Sequence, residues 1–335
     1  MNHVDAPDDG PEVEAFHPAT SHPAMRLPVT LVLLLVITLT PAISAQTHSF
    51  LPRTTTLPAS TRAMALGDSY VLNSGQADAL FYHPALLARA DGFGGGLQRW
   101  GNTSSAASLA GALEFLGGTL GIGLRTLQYG MPPENNLHED HDFRSGGDRG
   151  YERTVSIGYG REIWGGLSAG LAADLLDTRV ESLQQNVVLI DVGLSTDLGP
   201  IGIGLTAHDI GHKPFHDILD EPSEDYGPGP SRIVLGAGAY GQQLGMLDVG
   251  FAANAGVDAR DALTYGVGVE IGYYPIRGRT FVARVGLQDV PDGSEESPIT
   301  TGFAFWADDF NVEWAFRPIS GAPEGGSHRF GISWR

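Results

Sequence analysis

The stretch Asp309–Pro318 reads DFNVEWAFRP. Phe310, Val312, Trp314 and Phe316 alternate with Asn311, Glu313, Ala315 and Arg317. Side chains of an extended strand point to opposite faces in turn. One face of this stretch is therefore large and apolar, and the other carries a carboxylate and a guanidinium. What each face meets decides the fold.

The same alternation recurs on both sides. In YERTVSIGYG (Tyr151–Gly160), Val155, Ile157 and Tyr159 share one face, and Thr154, Ser156 and Gly158 share the other. The closing SHRFGISWR sets Phe330, Ile332 and Trp334 opposite Arg329, Gly331, Ser333 and Arg335. Read with this period from Gly92 onward, the chain predicts fourteen strands. They lie at 93–100, 107–116, 119–129, 151–160, 165–174, 187–196, 200–210, 231–240, 245–254, 264–273, 279–288, 299–307, 309–318 and 327–335. Helical periodicity is absent from this region.

Every second connection is short: Gly117-Gly118, REIW, DLG, GQQL, YPIRG and the turn at Asp308. Those between are mostly longer and polar: MPPENNLHEDHDFRSGGDR, LDTRVESLQQ, GHKPFHDILDEPSEDYGPGP, DVPDGSEES and ISGAPEGG. A secreted β-sandwich or solenoid, the alternative fold, gives no reason for that alternation. An outer-membrane barrel does, with short turns at one end, longer loops at the other and an even strand number. Fourteen strands enclose a lumen too wide for their own side chains to fill. The faces opposite the apolar ones carry Glu114, Arg125, Asp174, Asp191, Asp248, Glu270, Arg284, Glu313, Arg317 and Arg329. A charge turned to lipid costs about 2–4 kcal/mol near the midplane, so these residues are expected to line the lumen and the apolar faces to meet lipid. Closure satisfies the backbone, as lipid requires. The expected fold is all-β: a 14-stranded antiparallel transmembrane barrel over 92–335, preceded by a small plug with short helices.

Composition agrees with that placement. The 335 residues include 46 Gly and no Cys, and the net charge is −19. Such acidity argues against nucleic acid as a partner. The absence of Cys excludes disulfides and thiolate metal sites. From Met25 the sequence MRLPVTLVLLLVITLTPAISAQ has one Arg, an apolar run and Ala-Ile-Ser-Ala, the layout of a signal peptide over 25–45 with cleavage after Ala45. Residues 1–24 hold five acids and no Lys or Arg, the wrong charge for such a leader's start, and read as a non-native extension. The chain is thus expected in the bacterial outer membrane, among its lipids, delivered by the barrel-assembly machinery.

Residues 46–91 form the linker and plug. Within them, Ala77 to Arg89 is the best helical candidate, broken at His83-Pro84. Here the sequence resembles a known family. The order Arg62, Leu66-Gly67, Ser69-Tyr70-Val71, then ADALFYHPALLA with Asp78, Tyr82, His83, Pro84 and Ala85 is similar to the N-terminal signature of FadL-type and PorV/PorQ-type outer-membrane barrels. His83 stands where those families have Asn. The stretch DVGLSTDLGPIGIGLTAHDIG also fits, with Asp209 in place of the usual Asn, as do SRIVLGAGAY and HRFGISW. The resemblance covers about residues 60–335 and is most specific over 62–90. It implies one of two functions. PorV/PorQ-like proteins serve protein secretion or surface attachment, with secretion-system proteins as partners; the plug motif and the chain's modest length favour this branch. FadL-like proteins are passive channels for hydrophobic small molecules.

An enzyme reading competes for the same segment. Gly67-Asp68-Ser69-Tyr70 matches the nucleophile block of GDS(L/Y)-type esterases. That chemistry needs a buried strand before the serine and a base behind it. STRAMAL is not such a strand, no Asn-Asp pair occurs, and Asp209-Ile-Gly-His212 sits mid-chain. No catalytic residue or cofactor is expected. Two predicted loops concentrate possible metal ligands, His138, Glu139, Asp140, His141 and Asp142 in one, and His208, Asp209, His212, His216 and Asp217 in the other. Loops fix no coordination geometry by themselves, so these read as solvated acidic loops. The lumen charges are the better candidates for a role, as plug anchors or as a binding wall for a head group.

Overall fold

The computed structural model describes residues 53–70, 75–100, 104–128, 150–180, 183–210, 232–258, 262–276, 278–290, 293–322 and 325–334. The leader and signal peptide, and the loops holding His138 to Asp142 and His212 to Asp217, lie outside the described residues. Fourteen strands follow two short helices, α1 (Arg53–Thr56) and α2 (Thr61–Ala65), and two 3-10 segments, Ala77–Phe81 and Pro84–Arg89. The strands are β1 (Gly92–Trp100), β2 (Ser104–Phe115), β3 (Gly118–Gln128), β4 (Tyr151–Trp164), β5 (Leu167–Val180), β6 (Leu183–Leu198) and β7 (Ile201–Ile210), then β8 (Arg232–Leu244), β9 (Leu247–Asp258), β10 (Leu263–Ile276), β11 (Arg279–Gln288), β12 (Ile299–Trp306), β13 (Phe310–Pro318) and β14 (Gly326–Trp334). Each pairs antiparallel with its neighbours in sequence, and β1 closes on β14 from Phe93–Trp334 to Trp100–Ser327.

The wall is turned as the alternation requires. Leu97 (67% exposed), Phe303 (60%) and Ile332 (57%) stand outward, a surface that only lipid can cover without cost. The inward face is buried by the plug. There Met64, Leu66, Leu80 and Leu87 are fully buried, packed against the small and polar inner faces of the strands. The barrel is a transmembrane one with its apolar core inside the plug and its apolar skin outside.

Three expectations change. The predicted turns REIW and GQQL are strand: β4 runs to Trp164 and β8 to Leu244, and the chain reverses at Gly165-Gly166 and after Gly245. Gly165 and Gly166 both take positive φ, +54° and +85°, the twist a two-residue hairpin needs. The predicted loop LDTRVESLQQ is also hairpin, because β5 continues to Val180 and β6 starts at Leu183. Its alternation persists, with Leu176 and Thr178 buried inward and Arg179 exposed outward. Glu114 keeps the inner-face parity but, among the described residues, meets no part of the plug. It pairs with Thr119 beside the β2–β3 turn and is exposed at the rim, past the level at which the wall surrounds the plug.

Candidate functional site: a plug anchored in the lumen

α2 begins because Ser60 caps it, its hydroxyl accepting from the Ala63 N–H (3.3 Å). The Ala77–Arg89 stretch forms two 3-10 segments because Pro84 fixes its own φ and ends the first. The two aromatic residues of the motif tie these pieces together. Tyr70 stacks on Tyr82 at 4.8 Å and donates to Asp78 (2.6 Å). The Tyr82 hydroxyl accepts from the Ala59 and Ser60 N–H groups (2.9 and 3.1 Å) and donates to Asp68 (3.4 Å).

The wall then holds the plug by charge. Arg62, 3% exposed, donates through Nε to Glu270 (3.1 Å) and through Nη2 to its other oxygen. Glu270 also accepts from Arg284 Nε (3.1 Å), and Arg284 Nη2 reaches Glu313 (3.0 Å). The Arg62 guanidinium lies over the Tyr240 ring at 4.4 Å. Arg125 bridges Asp174 (2.8 Å) and the Thr54 carbonyl (3.1 Å). Arg329, 1% exposed, donates to the Ala59 carbonyl and to Ser108. Six of the predicted lumen charges, Arg125, Asp174, Glu270, Arg284, Glu313 and Arg329, thus gather around the plug. Asp191 and Arg317 have other partners. Asp191 accepts from the Asp209 N–H (2.8 Å) and meets His208 Nδ1 (3.1 Å), holding a bulge in β7 where Asp209 takes φ +56°. Arg317 reaches Glu296 (2.8 Å) and Gln288 nearer the loop end. Asp248 is half-buried. Glu152, unnoticed in the sequence, is fully buried and accepts from the Thr54 N–H (2.7 Å). Its parity with Thr154 and Ser156 would have placed it inward.

The wall also yields to the plug. A Cβ on Gly170 would strike the backbone of Pro84 and Ala85, and one on Gly286 that of Leu66 and Gly67. His83 lies over Gly193 and Gly204; burial, with His208 nearby, pushes its imidazole down to about 3, so it is neutral. Gly67 itself combines φ +69° with a Cβ direction blocked by the Leu287 backbone. Ala85 and Leu66 are fully buried. A cavity of about 60 Å³ on the loop side of the plug is lined by Leu57, Phe81, Tyr82, His83, Val234 and Asn254 among others. Another of about 270 Å³ on the turn side is lined by Arg62, Tyr240, Trp306 and Asn311.

Ser69 is buried in the plug, its hydroxyl directed to Asn254 Oδ1 (3.4 Å). Ser69→Ala is expected to leave the plug seated and any p-nitrophenyl ester turnover unchanged. Gly67→Leu is expected to disrupt the seat, because Leu resists positive φ and meets backbone. Parallel ester-turnover and barrel-assembly assays on both variants check this; turnover that vanishes with Ser69 from an assembled barrel would restore the esterase reading. His212, the other half of that reading, lies outside the described residues. Among the described residues, no three His, Cys, Asp or Glu side chains are grouped to hold a metal.

With barrel and plug defined, solved structures can be compared. The TodX monoaromatic hydrocarbon channel deltaS2 mutant matches at TM-score 0.53 and 14% identity, over 82% of this chain and 97% of its own. The P. putida toluene transporter TodX matches at TM-score 0.50 and 12% identity, over 81% and 95%. The chain has the fold of the TodX channels. A Pseudomonas aeruginosa FadL homologue follows at TM-score 0.47 and 10% identity, over 83% and 98%. No protein-family model and no curated protein matches this sequence. The TodX fold is shared across nearly the full length of those channels.

Proposed function

We propose that the chain is a passive outer-membrane channel for hydrophobic small molecules, and that it is not an enzyme. The observation that carries this is the plug: it fills the lumen of a closed barrel, and it borders a cavity of about 60 Å³ whose lining mixes Leu57, Phe81, Tyr82 and Val234 with Asp68, Arg125 and Arg232. The similar structures support it, since TodX is described as a toluene transporter and a monoaromatic hydrocarbon channel. They lend nothing to the secretion or surface-attachment role that the plug motif favoured, and the long loops that would grip a protein partner lie outside the described residues. In this reading the barrel-assembly machinery inserts the chain, lipid covers its outer wall, and substrate enters from the loop end and passes when the plug shifts.

The test is entry of labelled toluene and of a labelled long-chain fatty acid into Gram-negative cells expressing the full chain. The expected result is a severalfold rise in initial rate over cells with the empty vector for at least one of the two. Equal rates for both, from cells whose outer membranes contain the heat-modifiable barrel, would overturn the channel.

A further inference from the structure

The two cavities beside the plug reach the same flank of the lumen from opposite ends. The loop-side one touches β8 at Val234 and Gly236 and β9 at Asn254, and takes Asp68 from the plug. The turn-side one touches β8 at Tyr240 and takes Arg62 from the plug. Leu66 lies between Arg62 and Asp68 in the chain, and it also lies between them in space. Its side chain is fully buried and packs against Ala252 of β9 and Tyr240 of β8. Ala252 is the next inward position after Asn254 on β9, and Tyr240 already borders the turn-side cavity. Leu66 therefore stands between the two cavities along this flank.

The backbone of the same segment is fastened to the wall. The Gly67 N–H donates to the Thr300 hydroxyl of β12 (3.1 Å). The Asp68 carbonyl accepts from Asn254 Nδ2 (3.2 Å). A Cβ on Gly268 of β10 would strike the Leu66 backbone, and one on Gly266 the Gly67 carbonyl. Backbone held this closely leaves no room behind it, whereas an isobutyl group can change rotamer. The opposite flank is filled differently. Leu87 is as deeply buried, but Gly121, Gly158 and Gly160 of the wall enclose it, and the Pro84 and Ala88 backbone also lies over Gly160. We propose that the passage through the plug runs along β8 and β9, that the Leu66 side chain is its seal, and that the room at residue 66 sets the largest molecule admitted. What passes rests on the channel reading; the route does not.

The experiment places the purified full-length barrel in planar bilayers and reads its potassium chloride conductance. Leu66→Ala is expected to raise the resting conductance severalfold, because the hollow it leaves joins the two cavities. Leu66→Met, which keeps the volume, should match the unaltered barrel. Leu87→Ala should match it too, because its hollow stays enclosed between wall and plug. A Leu66→Ala barrel as tight as the original, or a Leu87→Ala barrel that leaks as much, would overturn the route. Should limited proteolysis show that Leu66→Ala unseats the plug, Leu66→Val decides by the same comparison. The size limit is read in cells, as entry of labelled naphthalene relative to labelled toluene. Leu66→Ala should raise that ratio severalfold, and an unchanged ratio would overturn the size limit. If the unaltered chain admits neither hydrocarbon nor fatty acid, the channel reading fails, and the conductance comparison still decides the route.

Discussion

Glu270→Ala is expected to turn a closed barrel into a leaking one. Glu270 is 3% exposed and stands between two guanidinium groups, Arg62 of the plug and Arg284 of the wall. Removing it leaves those two cations facing each other with no carboxylate between. Breaking a buried pair by deleting one partner costs about 3–5 kcal/mol, because the remaining charge is left uncompensated. The barrel need not bear that cost, since its strands are zipped by backbone bonds that do not involve the Glu270 side chain. The plug can relieve it by withdrawing Arg62. A cost of about 3 kcal/mol shifts a seated-to-displaced equilibrium by roughly a hundredfold. In planar bilayers the variant should show frequent wide openings where the unaltered chain is closed, and its liposomes should swell in small sugars. Arg62→Met combined with Glu270→Leu replaces the pair with apolar groups and should recover much of the closure, so the double-mutant cycle reports their coupling. A Glu270→Ala barrel as tight as the original would remove charge from the account of how the plug is held.

The second large effect is steric. Gly170→Leu and Gly286→Leu should each expel the plug from a barrel that still assembles. Both glycines sit in ordinary strand conformation, so the strands accept a side chain. What does not accept it is the plug backbone, at Pro84–Ala85 for one and Leu66–Gly67 for the other. Overpacking a core costs about 1–3 kcal/mol when side chains can repack, and backbone cannot change rotamer, so these two should lie at or above that range. Gly111→Leu is the control, because its nearest neighbours would stand 4.0 Å away. Limited proteolysis gives the reading: the plug of the first two variants should be cut while the barrel keeps its heat-modifiable migration, and the Gly111 variant should resist as the original does. Protection of all three would mean that the plug adjusts to the wall.

The wall was largely legible because its physics is local. A period of two, turn residues and the cost of charge in lipid located all fourteen strands and separated the two faces. The strand ends were less legible. In REIW and GQQL both faces are polar or mixed, since the strands have left the apolar band, yet backbone pairing continues and no side-chain pattern records it. The site was legible by class and not by partner. Parity places Glu270 and Arg284 inward, but Arg62 meets Glu270 across 208 residues of sequence, and Thr54 meets Glu152 across 98. Nothing in the spacing of such residues announces the meeting. Ser69 shows the converse: a short match to a catalytic block is the small residue that a plug needs beside β9.

The inward glycines give the lumen the character of a cast. Its shape is recorded in missing side chains at Gly160, Gly170, Gly193, Gly204, Gly268 and Gly286, each facing a particular part of the plug. A cast tolerates change in one direction only. Trimming the plug, as in Leu80→Ala or Leu87→Ala, leaves a hollow that the mould still surrounds. Adding to the mould drives the insert out. Trimming the insert therefore costs packing but leaves it seated, whereas thickening the wall unseats it.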